Sequence, residues 1–308
     1  MNRQPNVVAV VVNYNSGGWL RSCVTSILES DVRCVAFVVD NASTDHSFDD
    51  VVSLAEQYPD NLKCIRNVDN VGFARAVNQV MRSNPAAYYA IVNPDCIVGP
   101  DAISAIVAVL ERDPRGGLGS CLIENTDGTP QKTCRRNFPT PWSGLLRSFA
   151  LNRLFPKSGI FTDFDKGEEI PPDQVVAVDA ISGAFMVAKA TAVAEVGLLD
   201  EGYFMHCEDL DWCKRFWEAG YRVVYVPGVS VVHAKGVSGR RERIRVLWHL
   251  HRGMIRFYKK FYRHRYPLPM MWLVYAGVYV RFFAKSSARV VGSLLGARAE
   301  HPDRQIES

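Results

Sequence analysis

The sequence predicts an α/β fold: a Rossmann-like, mostly parallel sheet flanked by helices, followed by a helical C-terminal appendage. Short β-branched runs alternate with helical stretches from Val7 to Leu122, the pattern of strands joined by helical crossovers. Two of these runs end on an acid. Val35-Ala36-Phe37-Val38-Val39 leads into Asp40, and Tyr88-Tyr89-Ala90-Ile91-Val92 leads into Asn93-Pro94-Asp95; the carboxyl edge of an open parallel sheet is where such folds bind ligands. After Lys235 the chain turns basic and aromatic, with Trp248, Phe257, Tyr258, Phe261 and Tyr262 set among arginines.

In chain order, strands are predicted near 7–12, 35–39, 62–66 and 88–92, and helices near 18–29, 47–57, 71–82 and 100–111. Pro100-Asp101 opens the last of these helices, where a missing N–H costs nothing, and Asp113-Pro114 closes it. From Asn125 to Asp173 the sequence is proline-rich and without period, so it reads as a long excursion with at most a hairpin and a short helix around 143–153. Strands resume at Val175–Val178 and Gly183–Val187, followed by a helix from Lys189. A helix over Glu208–Ala219 ends at Gly220, and the strand Tyr221–Val226 follows. The domain division expected is 1–235 and 236–308. The apolar stretch Leu268–Val280 is shorter than the ~20 residues that span a bilayer and suits an interfacial or buried helix.

The 308 residues are 48% hydrophobic, enough to bury a large core. The net charge of +4 is modest, but between Arg240 and Arg265 the single acid Glu242 faces ten lysines and arginines. Such local charge points to a surface or partner. Eight scattered cysteines form no CxxC pair, as expected for reduced thiols in a cytosolic protein. Met1 to Asn6 runs into a short strand without the apolar core of an export signal, so a cytoplasmic location is expected, peripheral on the inner face of the membrane if the basic tail touches lipid.

Five segments and one histidine carry candidate chemistry. Asn13-Tyr14-Asn15 and Asp40-Asn41-Ala42-Ser43-Thr44-Asp45 should lie side by side at the sheet edge, where Asp40 suits a pyrimidine N–H or a ribose hydroxyl; either segment alone would more often be an Asx-type turn. Asn70-Val71-Gly72-Phe73, with Asn78 beyond it, opens a helix whose N-terminus attracts phosphate, although Asn70 also suits an N-cap and Phe73 a core position. Asn93-Pro94-Asp95 is an oxygen-donor element fit for Mg²⁺ or Mn²⁺ completed by substrate phosphates. Glu208-Asp209-Leu210-Asp211 opens a helix whose dipole favours acids there, and Asp209, with Glu208 second, is placed to act as a general base. His233 stands in a glycine-containing loop after the last strand, where contact with a metal or diphosphate is open to it.

Taken in order, Asn13-Tyr14-Asn15, Asp40-Asn41-x-Ser43-x-Asp45, Asn70-x-Gly72-Phe73-Ala74-x-x-x-Asn78, Asn93-Pro94-Asp95, Ser182-Gly183-Ala184-Phe185 and Glu208-Asp209-x-Asp211 closely resemble glycosyltransferase family 2, inverting enzymes of the GT-A fold. Within it they look most like bacterial rhamnosyltransferases, over roughly residues 7 to 235. The resemblance implies a nucleotide-sugar donor, with dTDP-L-rhamnose first and a UDP-sugar as alternative, bound by Asn13, Tyr14, Asn15, Asp40, Asn70, Gly72, Phe73, Asn78, Asn93 and Gly183. It implies a divalent metal (Mg²⁺ or Mn²⁺) held by Asp95, with His233 matching a histidine that contacts the metal or diphosphate in some relatives. Asn93 stands where many relatives carry the first acid of an Asp-x-Asp pair. It also implies a base from the Glu208-Asp209 pair. The acceptor expected is a glycan or a polyprenyl-diphosphate-linked sugar in cell-surface polysaccharide assembly, with the basic, aromatic tail against an anionic membrane and no nucleic acid partner.

Two other classes rank lower. A nucleotidyltransferase would want a basic, glycine-rich phosphate loop after the first strand, and Asn13-Tyr14-Asn15-Ser16-Gly17-Gly18 has no lysine. A non-catalytic sugar or nucleic-acid binding module is motivated by the basic tail, but has no use for the acids Asp95 and Asp209.

Overall fold

The computed structural model describes residues 7–148, 170–234 and 243–299. The elements run β1 (Val7–Asn13), α1 (Trp19–Leu28), β2 (Cys34–Asp40), α2 (Ser47–Ala55), β3 (Leu62–Arg66), α3 (Phe73–Ser83), β4 (Tyr88–Val92), β5 (Cys96–Val98), α4 (Ala102–Arg112), β6 (Gly116–Glu124), β7 (Arg135–Arg136) and α5 (Pro141–Ser148). They continue with β8 (Val176–Ala177), β9 (Ala180–Ile181), β10 (Phe185–Lys189), α6 (Ala190–Val196), α7 (Glu208–Glu218), β11 (Arg222–His233), α8 (Arg243–Tyr262) and α9 (Leu268–Ala299). The far end of the short helix expected around 143–153, the start of the basic run at 240–242 and residues 1–6 lie outside the described residues.

The main sheet has the order β3-β2-β1-β4-β10-β6-β11-β5, with β8 beside β11. β1, β2, β3 and β4 are mutually parallel, as is the β6–β11 pair. β10 runs antiparallel between β4 and β6, and β5 antiparallel to β11. The sheet is therefore mixed but mostly parallel. β1 is buried along its whole length, as is β4, which explains why both read as unbroken apolar runs rather than alternating ones. The chain winds outward from β1 to β2 and β3, then returns to β4 on β1's other side. That reversal is a topological switch point, and it opens a crevice at the carboxyl ends of β1 and β4.

Strands β5, β6 and β9 were not among those expected, and β11 outruns its expected end. β6 was not predicted, because Gly116-Gly117-Leu118-Gly119 has low strand propensity. Packing demands those glycines: a Cβ on Gly117 would come within 2.7 Å of the Phe216 ring, and one on Gly119 within 2.5 Å of Ile106. Helices α7 and α4 thus press directly on the strand backbone. β11 extends past the predicted Tyr221–Val226 to His233, crossing Pro227-Gly228 through a register shift between Val226 and Ser230. A proline without an N–H and a glycine suit such an irregularity.

The chain forms two compact units, one of residues 1–138 and 162–241 and another of 139–161 and 242–308. The second is helical: α5 and α8 each pack on α9. Its interior holds Phe257, Tyr258, Phe261, Tyr262, Met271, Val274 and Val278. Among the described residues no helix is long and apolar enough to cross a membrane.

Candidate active site

The register pairs Asn13 with Asp40 at the carboxyl ends of β1 and β2, so the two junctions do sit side by side. Asn13 is wholly buried and donates through Nδ2 to Asp40 Oδ1 at 2.8 Å and Ser47 Oγ at 2.9 Å, and its own Oδ1 has no partner among the described residues. Asp40 is 1% exposed; its Oδ2 accepts the Ser43 N–H at 3.1 Å. Asn15, at φ 54°, accepts the N–H groups of Thr44 (2.8 Å) and Asp45 (3.1 Å) through Oδ1. These amides and the carboxylate knit the two loops together, the Asx-type role that competes with direct ligand contact. Tyr14 is half-buried between them.

At the start of α3, Asn70 Oδ1 accepts the Gly72 N–H at 3.1 Å. Gly72 has φ +87°, and a Cβ there would lie 2.7 Å from the Phe204 carbonyl oxygen, which also takes the Phe73 N–H at 2.8 Å. The glycine here admits a protein backbone as well as turning the chain. Asn78, expected among the donor-binding residues, is instead 0% exposed: it donates to the Leu199 carbonyl (2.9 Å) and accepts the Leu199 N–H (3.1 Å). A buried amide so paired is a staple for the 199–201 loop, and it offers no open face to a nucleotide.

Asp95 follows β4 in a turn closed by Cys96 N–H to Asn93 O at 3.1 Å, with Asn93 half-buried. β5 then pairs with β11 in a register that sets Cys96 opposite His233, and Ala234 N–H bonds to Asp95 O at 2.9 Å. This brings His233 Nε2 to 3.2 Å from Asp95 Oδ1. Gln131 fixes the imidazole from behind: its Nε2 donates to the His233 carbonyl at 2.8 Å, so its Oε1, at 3.2 Å, faces Nδ1 and calls for a proton there. With Nδ1 so committed, Nε2 is the ring nitrogen left facing the carboxylate oxygen. Two electron-rich atoms so placed fit a shared cation. Cys96 belongs to the same cluster, but burial pushes its thiol far up, and it donates to the Ala184 carbonyl at 3.4 Å. That leaves Asp95 and His233 as the donors of this cluster that could hold a divalent ion.

α7 is entered through His206 and Cys207, both left-handed (φ 67° and 69°), strain of the sort stored at functional sites. Its first turn carries Glu208, Asp209 and Asp211, all buried. Asp211 is structural: it accepts Arg215 Nε at 2.6 Å and the Tyr203 hydroxyl at 3.1 Å, while Arg215 also donates to the Leu198 carbonyl at 2.7 Å. Asp209 pairs through Oδ2 with the Arg136 guanidinium and with the Gly183 N–H at 3.0 Å, and through Oδ1 with the Leu210 N–H at 2.8 Å. Burial alone would raise its pKa, but Arg136 and these N–H groups hold it below the usual carboxylate range. Glu208 goes the other way, pushed up by burial and by the charge of Asp209, and its buried Oε2 has no hydrogen-bond partner among the described residues.

Arg136 and the N–H groups on Asp209 thus leave the two buried, neighbouring carboxyl groups with opposite protonation preferences. A carboxyl whose folded pKa is raised contributes stability below its unfolded value of roughly 4.3, and that contribution is lost as pH rises through the folded pKa. Glu208→Gln removes the effect. Thermal melts are expected to show the variant gaining on the parent chain from pH ~5 up to the folded pKa of about 8, holding level above it, and converging with the parent below pH ~4; a gap independent of pH across that window would contradict the buried, raised carboxyl.

The two centres meet at one dipeptide. The Gly183 N–H binds Asp209, while the carbonyl of Ala184 accepts the Asn93 N–H at 2.8 Å. Gly183 is also tight against its neighbour, since a Cβ there would lie 3.2 Å from Asp209 Cβ. Sequence reasoning missed Arg136 and Gln131. Both fall in the aperiodic stretch after Asn125; their signal was a polar or basic residue near a predicted hairpin, too common to single out.

The sequence profile of glycosyl transferase family 2 matches residues 8–167. An N-acetylglucosaminyl-diphospho-decaprenol L-rhamnosyltransferase of Mycobacterium tuberculosis is 28% identical over 294 residues, covering 91% of this chain and 93% of that protein. Rhamnosyltransferase WbbL of Escherichia coli is 30% identical over 149 residues, 47% of this chain and 52% of its own length. In fold, the chain is similar to mannosyltransferase PcManGT from Pyrobaculum calidifontis, solved with GDP-Man and Mn²⁺, with a TM-score of 0.59, 19% identity and coverage of 97% of this chain and 82% of that one.

Proposed function

Because the chain belongs to glycosyl transferase family 2 and has the GT-A fold of a glycosyltransferase, we propose that it inverts configuration while moving L-rhamnose from dTDP-L-rhamnose to a polyprenyl-diphosphate-linked sugar in cell-surface polysaccharide assembly. The observation that carries this reading is the Gly183-Ala184 dipeptide, which ties an ionised Asp209 to the Asp95–His233 corner at the carboxyl edge of the sheet. The choice of sugar is supported by the relatives from M. tuberculosis and E. coli, and the choice of acceptor by the M. tuberculosis relative.

In this reading Asp95 and His233 hold a divalent cation, Mn²⁺ or Mg²⁺, which when bound neutralises charge on the leaving diphosphate. Asn93, Tyr14 and the α3 end near Asn70 and Gly72 border the donor, with Asn13, Asp40 and Asn15 shaping the loops around it. Asp209 receives the proton of the acceptor hydroxyl as the hydroxyl oxygen bonds to the anomeric carbon and the sugar–phosphate bond breaks. An alcohol becomes strongly acidic as it bonds to an electron-poor carbon, so a carboxylate of depressed pKa suffices. Glu208, neutral near pH 7, keeps a proton to donate to a substrate oxygen. Gly183 positions Asp209, and Arg136 holds it charged.

We place residues 1–235 in the catalytic role and the helical C-terminal part at the cytoplasmic membrane surface, where a lipid-linked acceptor resides. The test is transfer of labelled rhamnose from dTDP-L-rhamnose to N-acetylglucosaminyl-diphospho-polyprenol. Label in the lipid fraction with inverted anomeric configuration is expected. Retained configuration, or transfer from UDP-sugars alone, would overturn the assignment.

A further inference from the structure

We propose that α9 is an in-plane membrane anchor that inserts one apolar face into an anionic bilayer while a basic stripe of α8 lies along the headgroups. The inference deepens the lipid-linked reading of the acceptor and rests on it for the biological role of the membrane, but its physical basis is independent.

Leu268, Trp272, Leu273, Tyr279, Val280 and Phe283 are all exposed, Trp272 at 71% and Phe283 at 62%. At the helical turn of about 100° per residue they fall within one arc of roughly 140°. The stretch is about 23 Å long. Across it the residues facing inward, Met271, Val274, Val278 and Phe282, are buried, so the exposed face is a second apolar surface on the same helix. Arg281 and Lys285 fall outside the arc. An exposed apolar strip of this extent marks an interaction site.

Charge decides the partner. From Arg243 to Ala299 there is no Asp or Glu, against twelve Lys and Arg. Along α8 and just past its end, Arg245, Arg252, Arg256, Lys259, Lys260 and Arg263 are exposed and fall within an arc of roughly 100°. Lys259 Nζ lies 5.6 Å from the centre of the Tyr275 ring, and Trp248 lies 6.4 Å from Tyr279, so the two helices meet along one edge of the apolar arc. An apolar strip rimmed by cations and aromatic rings matches the acyl–headgroup boundary of an anionic leaflet. A protein partner would need an acidic, apolar-centred groove of the same length; a bilayer supplies that combination everywhere.

The experiment is flotation of the full chain with vesicles of phosphatidylglycerol mixed with phosphatidylcholine, against vesicles of phosphatidylcholine alone. Binding is expected to the anionic vesicles, weakening with salt. Trp272→Ser, Leu273→Ser and Phe283→Ser together should lower partitioning by about 100-fold, and Arg252→Glu with Arg256→Glu should remove the preference for the anionic lipid. Both sets change exposed positions. Mn²⁺-assisted dTDP binding, measured on the same variants, is expected to stay as in the parent chain, so loss of nucleotide binding in the parent would indict the catalytic reading and not the anchor. The anchor is overturned if the parent chain does not float, if the serine variant floats equally well, or if sedimentation shows a dimer that the serine substitutions dissociate, which would make a second copy the occupant.

Discussion

Asp209→Asn is expected to lower kcat about a thousandfold, within the range by which a positioned base accelerates proton transfer, while donor affinity stays within about twofold. The carboxylate touches Arg136, Gly183 and Leu210, so the asparagine leaves a buried guanidinium without its counter-charge and the fold loses stability. Retained donor binding is therefore the control that separates lost chemistry from lost structure. Arg136→Met sharpens the test. Arg136 contributes to holding Asp209 below the usual carboxylate range, so its removal should raise that pKa and move the acidic limb of the kcat/KM profile to higher pH, with activity retained on the alkaline side. A uniform loss at every pH would make Arg136 a scaffold residue only.

Asp95→Ala should reduce Mn²⁺-dependent donor affinity by about 100-fold or more, with little change when no metal is added. The expectation follows from the 3.2 Å approach of His233 Nε2 to Asp95 Oδ1 with Nδ1 committed to Gln131. Gln131→Leu, which frees the ring without touching either donor, should weaken the metal by about 10-fold or more, as partners behind a ligating histidine do. Titration with Mn²⁺ in the presence of nucleotide reads both effects. Equal losses with and without metal would assign Asp95 to the fold rather than to the ion.

The parts legible in the sequence were those with a local signature. β4 and the Asp95 turn follow from an apolar run halted by Pro94, and α7 from an acidic first turn and a terminal Gly220. β6 was hidden because its glycines answer to Phe216 and Ile106, contacts made across the fold. Arg136 and Gln131 were hidden for a related reason. Each reaches the site by pairing with a distant segment, Arg136 through β7 on β9 and Gln131 through its bonds to His233, and neither pairing leaves a period in the chain. Asn13 and Asn78 show the converse: an amide that staples loops and an amide that binds a ligand are the same residue in a sequence, and burial separates them.

The most direct measurement is calorimetric titration of the parent chain with dTDP and with UDP, each with and without Mn²⁺. Binding that Mn²⁺ strengthens and that favours dTDP is the expected result, since it requires both a nucleotide pocket at the β1–β4 crevice and a cation at Asp95 and His233. Failure to bind either nucleotide, with or without metal, would contradict the site itself.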